Sequence, residues 1–276
     1  MTGGGADRPL RVVPVTSPDD PALAPYRTLR RPEAHKAAGI FVAEGDKVVR
    51  RLLASPLTIR SLLATPRRLA ELLAGPGLSR TPPFPVYTAE EPLFRTIIGY
   101  HLHQCVMAVG EVAPDADLGS LARPRLLVAL DGLRQAENVG IIVRNAAAFG
   151  AAGLLAAPTG CSPWMRRAVR NSMGNIFELP VAHPASLPAA LGALRAGGAR
   201  VVAAHLDGGR PIAGVDLRGD CCLVFGNEDG GVSQEVLAEC DDVAAIPMQR
   251  GTDSLNVANA AAVFLYEAAR QRGFGG

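Results

Sequence analysis

Lysine is nearly missing from this chain: only Lys36 and Lys47 stand among 28 basic residues in 276, and the rest are arginine. With 30 glycines and 22 prolines beside abundant alanine, that is the composition of a GC-rich genome, so arginine alone says little about nucleic acid. Aromatic residues make up 5%, with Trp164 the single tryptophan. Net charge is only +2, which excludes a histone-like polycation that binds by charge alone. The five cysteines form no CxxC and include the adjacent pair Cys221-Cys222. This is the pattern of neither a disulfide framework nor a zinc site, and it suits a reducing cytoplasm, the expected location. The N-terminal residues contain no apolar run of signal-peptide length. The longest uncharged stretch, 145–165, is interrupted by Pro158 and Pro163 and reads as helix end, strand and loop rather than a membrane span.

What is present is a core. Hydrophobic residues at 48% and charged residues at 20% supply one large domain or two modest ones, at roughly 150 residues per domain. Charge divides unevenly. Residues 1–110 carry 14 Arg/Lys against 9 Asp/Glu, net +5, and residues 111–276 carry 14 against 17, net −3. Residues 1–20, rich in Gly, Pro and Asp, are expected to be flexible. From there strands at 40–45, 57–65, 85–89 and 104–112 alternate with helices at 46–55, 67–74 and 90–98, a compact α/β module over 21–112. The polar, turn-rich stretch 113–124 is the expected linker. In 125–276 the strands at 125–132, 153–158, 177–182, 200–205, 221–227 and 242–248 are continuous apolar runs, the mark of parallel strands covered on both faces. A helix at 256–272 closes the series.

Three segments of this second half lie at the C-terminal ends of predicted strands, the edge where open α/β sheets bind ligands. The first is a turn at 137–140 leading into a helix, with Asn138 near its start and Arg144 six residues on, both able to face the strand ends. A helix cap and a solvated arginine would account for this segment equally well. The second, Gly226-Asn227-Glu228-Asp229-Gly230-Gly231, is a glycine-rich turn between a strand and a helix starting near Ser233. No GK[ST] or GxGxxG is present, and Glu228-Asp229 would repel phosphate, so a neutral or cationic ligand fits better. The third, Ile246-Pro247-Met248, ends a strand before a polar loop and Ser254-Leu255-Asn256, with Ser254 the expected N-cap of the last helix.

Together these segments resemble the SpoU/TrmH family of SPOUT RNA 2′-O-ribose methyltransferases, whose motifs are Asn-x-Gly with a downstream Arg, Gly-x-Glu-x-x-Gly, and Ile-Pro-Met followed by Ser-Leu-Asn. All three occur here in order, as Asn138/Gly140/Arg144, Gly226/Glu228/Gly231, and Ile246-Pro247-Met248 with Ser254-Leu255-Asn256. The resemblance implies an α/β catalytic domain with a parallel sheet and a deep trefoil knot. The knot would form an S-adenosylmethionine site with Gly226, Ile246, Leu255 and Met248 at the cofactor. Arg144 is implied as base or, because a guanidinium resists deprotonation, as a fixed cation on phosphate and developing alkoxide. Ser254 and Asn256 would orient the ribose or Arg144, Asn138 would hold the target nucleotide, and Glu228 would act at the cofactor loop. A homodimer with its site near the subunit interface is implied as well.

The segment 41–53, FVAEGDKVVRRLL, is similar to the ribosomal protein L30e-like substrate-binding domain fused to many of these enzymes. Arg30, Arg31, Lys36, Lys47, Arg50 and Arg51 are its candidate RNA contacts, against the plainer reading of a solvated helix face. This fusion favours 23S ribosomal RNA over transfer RNA as substrate. The competing readings are a non-catalytic RNA-binding or assembly factor, and a nucleotide-binding oxidoreductase, the latter disfavoured by the missing glycine fingerprint. No metal is expected: His101 and His103 share a strand face as a possible half-site, without a carboxylate partner nearby. Cys161 and Cys240 read as small buried residues, Ser233 lacks a nucleophile elbow, and Trp164 reads as loop packing.

Overall fold

The computed structural model describes residues 11–75, 78, 82–206, 209–249 and 254–274. The chain forms two units, one running to Ala113 and taking in Trp164–Phe177, the other made of Pro114–Pro163 and the residues from Glu178 onward.

In the first unit β1 (Val12–Pro14), β2 (Ile40–Glu44), β3 (Ile59–Ala64), β4 (Val86–Thr88) and β5 (Val106–Glu111) pair in the order β1-β4-β3-β5-β2. The pairs β1-β4 and β4-β3 are parallel, and β3-β5 and β5-β2 antiparallel. Helices α1 (Ala24–Arg27), α2 (Pro32–Ala37), α3 (Asp46–Ala54), α4 (Pro66–Ala74) and α5 (Glu91–Ile98) connect them. In α3, Val48, Val49 and Leu52 recur at helical spacing and are buried, while Lys47 and Arg51 are exposed. The flexible N-terminus expected over 1–20 lies outside the described residues as far as residue 10. Beyond it Val12–Pro14 is a strand, in register with Val86–Thr88. Pro14 is tolerated because β1 is an edge strand.

The segment Trp164–Phe177 is fixed in this unit by two groups of contacts. Phe41 packs against Trp164 at 5.1 Å and Phe177 at 5.4 Å between ring centroids, so the tryptophan is loop packing, as read from the sequence. The Glu44 carboxylate, 1% exposed, accepts from Arg166, from Arg170 at 2.8 Å and from the Tyr100 hydroxyl at 2.5 Å. The Arg166 guanidinium also lies 5.3 Å from the Tyr100 ring centroid. This corrects the strand expected at 177–182: Phe177 ends a 3-10 turn with its ring against Phe41, leaving only Val181–Ala182 extended. Removing the carboxylate leaves the largely buried Arg166 guanidinium without its ion-pair partner, while Arg170 is more than half exposed. Glu44→Ala is therefore expected to destabilise the first unit by about 3 kcal/mol, read as a lowered denaturation midpoint. An unchanged midpoint would show that the network contributes nothing.

In the second unit β6 (Leu126–Asp131), β7 (Gly153–Ala156), β8 (Val181–Ala182), β9 (Arg200–Ala204), β10 (Arg210–Pro211), β11 (Cys221–Gly226) and β12 (Asp242–Ala245) form one sheet ordered β10-β12-β9-β11-β6-β7-β8. Every pair is parallel. The chain also makes α6 (Ala136–Ala148), α7 (Arg166–Asn171, which lies in the first unit), α8 (Leu187–Ala196), α9 (Gln234–Leu237) and α10 (Val257–Gln271). β6 and β11 are buried at all six positions, which is why their sequences carry no alternation. Arg125, 1% exposed, clamps Asp220 with Nε–Oδ1 at 3.0 Å and Nη2–Oδ2 at 2.7 Å, tying the start of β6 to that of β11. The guanidinium holds the Asp220 carboxyl below its usual range. The stretch expected as a linker is part of this unit from Pro114. Leu118 is buried in its core and the Ala116 N–H bonds the Val181 carbonyl, so one apolar anchor and one backbone hydrogen bond outweigh a polar composition. No helix among the described residues is long and apolar enough to cross a membrane.

Candidate functional site

Because all strands of the second sheet run the same way, their C-terminal ends share one edge, and the order β12-β9-β11-β6 brings the turns after β6, β11 and β12 together. They border a cavity of about 430 Å³, a size that suits a nucleoside-like ligand. Gly226, Glu228, Ile246, Met248, Ser254, Leu255 and Asn256 all line it. Asn138 and Arg144 do not.

The turn 226–231 is locked by its own backbone. Asn227 and Gly231 exchange N–H···O bonds of 2.8 and 2.9 Å, and the Asn227 side chain accepts from the Asp229 and Gly230 N–H groups and donates to the Gly132 carbonyl at 2.8 Å. Gly231 sits at φ +68°, where a side chain would be strained. At Gly226 a Cβ would fall 2.1 Å from Gly231 C and Val232 N. The glycine is demanded first by the returning backbone, and the cavity inherits its shape.

Glu228 closes back onto the first motif. Its carboxylate accepts from the N–H groups of Arg134 and Gln135, both at 3.0 Å, and from Asn138 Nδ2 at 2.9 Å. It caps the start of α6, where negative charge is favoured. Burial opposes the charged form, but the bonds from Arg134, Asn138 and Gln135 outweigh it and hold the Glu228 carboxyl below the usual glutamate value. The resulting stabilisation is fully present above the ordinary glutamate pKa and is lost as pH falls through the depressed one.

Asn138 Oδ1 in turn accepts from Asn256 Nδ2 at 3.0 Å, and Asn256 Oδ1 caps α10 by accepting from the Ala258 N–H at 2.9 Å. Glu228, Asn138 and Asn256 therefore form one chain of hydrogen bonds joining the three motifs. Three sequence expectations are corrected here. Residues 137–140 are the first turn of α6, not a loop before it. Asn138, expected on a nucleotide, is 4% exposed with its amide committed to Glu228 and Asn256. The N-cap of α10 is Asn256, not Ser254, which is exposed beside the cavity.

Arg144 is exposed on α6 and has no hydrogen bond or ion pair among the described residues. Six residues on a helix rotate about 240°, so Asn138 and Arg144 occupy different faces and cannot both face the strand ends. Arg144 shares its stripe with Ile141, 36% exposed, on a helix packed against α10, which leaves Val263 and Tyr266 exposed.

On the first unit Arg30, Arg31, Lys36 and Lys47 are exposed and have no side-chain partner among the described residues. Arg50 and Arg51 are spoken for: Arg50 pairs with Asp46 at 3.0 Å and the Glu71 carbonyl, and Arg51 donates to the Met173 carbonyl at 2.9 Å.

His205 and Leu206 also line the cavity, and motif reasoning missed both. They follow β9, which is inserted between β11 and β12, a placement that only strand order reveals. Burial raises the Cys161 thiol to about 11 and the Cys240 thiol to about 12, so both are poor nucleophiles at neutral pH. The rings of His101 and His103 stand edge to face, 4.4 Å apart. Among the described residues no cluster of three or more His, Cys, Asp or Glu side chains could hold a metal.

The sequence profile of the SpoU rRNA Methylase family matches residues 125–266. An uncharacterized tRNA/rRNA methyltransferase of Mycobacterium bovis is 39% identical over 275 residues, covering 95% of this chain and 93% of that one. An AdoMet-bound rRNA methyltransferase from Sinorhizobium meliloti superposes with a TM-score of 0.82 at 30% identity, over 94% of this chain and 98% of that one. The SpoU methyltransferase AviRb from Streptomyces viridochromogenes, in complex with AdoMet, gives 0.80 at 28% identity over 93% and 100%.

Proposed function

The chain belongs to the SpoU rRNA methylase family and is an RNA methyltransferase, and from that premise we propose that it transfers a methyl group from S-adenosylmethionine to a ribose 2′-hydroxyl, in 23S ribosomal RNA rather than transfer RNA. The observation that carries this reading is the hydrogen-bonded chain Glu228–Asn138–Asn256, which closes three separate motifs around one cavity. Two of the similar structures are AdoMet-bound, which supports the choice of donor.

The residues fit that donor. Ile246, Leu255 and Met248 offer apolar surface to an adenine, and the turn beginning at Gly226 offers backbone groups to its edge. When bound, the donor supplies an electrophilic methyl on a sulfonium. Asn256 and Ser254 stand where they can orient the ribose, and Glu228 and Asn138 act as positioning residues. Arg144 contributes a fixed cation: it grips a phosphate beside the target and stabilises the alkoxide as the 2′-hydroxyl loses its proton.

Two further parts belong to the same proposal. A second copy of the chain covers the exposed face of Ile141, Val263 and Tyr266, so that Arg144 serves a site shared between subunits, and the chain is threaded in the trefoil knot of the family. The module 21–112 delivers RNA through Arg30, Arg31, Lys36 and Lys47, contacting backbone and shape. The enzyme works in the cytoplasm.

The test is incubation with methyl-labelled S-adenosylmethionine and total RNA, followed by fractionation and mapping. Label is expected in 23S rRNA at a linkage that resists alkaline hydrolysis, the signature of a blocked 2′-hydroxyl. Label on a base would end the ribose assignment, and label confined to transfer RNA would end the choice of substrate.

A further inference from the structure

The turn at 226–231 carries adjacent carboxylates with opposite situations. Glu228 is consumed by three hydrogen bonds to the start of α6. Asp229 is exposed at the cavity, and its carboxylate has no hydrogen bond or ion pair among the described residues. Its backbone, by contrast, is fixed, because its N–H donates to Asn227 Oδ1 at 2.9 Å within a turn closed by the Asn227–Gly231 bridge. A side chain held at the root and free at the tip can engage a ligand at little ordering cost.

The charge around it is one-sided. Among the described residues, no lysine or arginine lines the cavity. The ionisable side chains there are Glu228 and Asp229 from the turn after β11 and His205 from the end of β9, while β12 and α10 contribute none. Three of the lining side chains are apolar and at least a third exposed: Leu206, Met248 and Leu255. The result is an apolar slot with one unclaimed carboxylate at its rim, a combination that favours a planar apolar body bearing a positive group.

We infer that Asp229 receives a cationic group of the methyl donor, its sulfonium or its α-ammonium, and so selects the charged donor over neutral nucleosides. This rests on the donor assignment proposed above. The carboxylate is spent neither on the fold nor on the turn, so its removal should alter ligand preference and leave stability alone.

Calorimetry with three ligands tests it on the wild-type chain and on Asp229→Asn and Asp229→Glu. S-adenosylmethionine carries both cations, S-adenosylhomocysteine only the ammonium, and methylthioadenosine neither. In Asp229→Asn, S-adenosylmethionine is expected to bind about 3- to 10-fold more weakly, with methylthioadenosine and the thermal midpoint unchanged. Asp229→Glu should recover part of the loss. The wild-type preference should also shrink with added salt, more steeply than that of Asp229→Asn. A parallel loss for S-adenosylhomocysteine identifies the ammonium as the partner, and an unchanged value identifies the sulfonium. Equal weakening of all three ligands, or of none, overturns the inference. Failure of the wild-type chain to bind any of the three would instead overturn the donor assignment beneath it.

Discussion

Arg144→Ala is expected to lower methyl transfer by about 100-fold or more while changing the affinity for S-adenosylmethionine by less than about twofold. The separation follows from where the residue sits. It lies on the exposed face of α6, outside the cavity lining, with no partner among the described residues. Neither the fold nor the donor depends on it, and a guanidinium without a partner is available for an incoming phosphate. Arg144→Lys should restore only part of the rate, since a point charge replaces a planar fork. Single-turnover transfer to RNA and calorimetry of the donor, run on the same preparation, check both halves. Retained turnover in the alanine variant would remove the arginine from the mechanism.

Gly226→Val should act in the opposite sense, weakening donor binding by about 100-fold or more and lowering stability with it. The added Cβ would meet backbone atoms 2.1 Å away at Gly231 and Val232, and backbone cannot rotate aside as a long side chain can. Something must shift, and Val232 is itself 3% exposed in the second core, so the expected destabilisation is about 2–4 kcal/mol. Normal affinity in a folded Gly226→Val chain would mean that the donor does not use this turn. The two variants together also test the proposed dimer with its shared site. In such a dimer, an Arg144→Ala subunit brings a sound cavity and a Gly226→Val subunit brings the arginine. Activity recovered on mixing places Arg144 across the interface, and none recovered places it within its own subunit.

Much of this is legible in the sequence. Most strands of both units lie where continuous or bounded apolar runs predict them, the exceptions being β1, β10 and the shortened β8, and Gly226, Glu228, Gly231, Ile246, Met248, Ser254, Leu255 and Asn256 line one cavity. What failed did so for physical reasons. The first turn of α6 reads as a loop because Glu137-Asn138-Val139-Gly140 has turn-forming residues, and the carboxylate that caps this helix lies far along the chain, at Glu228. Asn138 reads as a ligand contact because a motif shows which residue is required and not which neighbour requires it. His205 escaped because its place at the cavity depends on β9 lying between β11 and β12, a long-range pairing with no local signature. Arg50 and Arg51 read like the other basic residues because sequence does not show that Asp46 and the Met173 carbonyl already hold them.

The excursion of Trp164–Phe177 bears on how such a protein can change over generations. The backbone passes between the two units after Ala113, after Pro163 and after Phe177, so the first unit is not a cassette added at one end. Cutting at the first passage would strip Phe41 and Glu44 of the partners described above and leave Trp164 and Phe177 bare on the remaining piece, inviting aggregation. Recombination that trades one half for a homologous one would have to carry a matching 164–177 with it. The first unit should therefore evolve by point replacement more readily than by exchange as a whole.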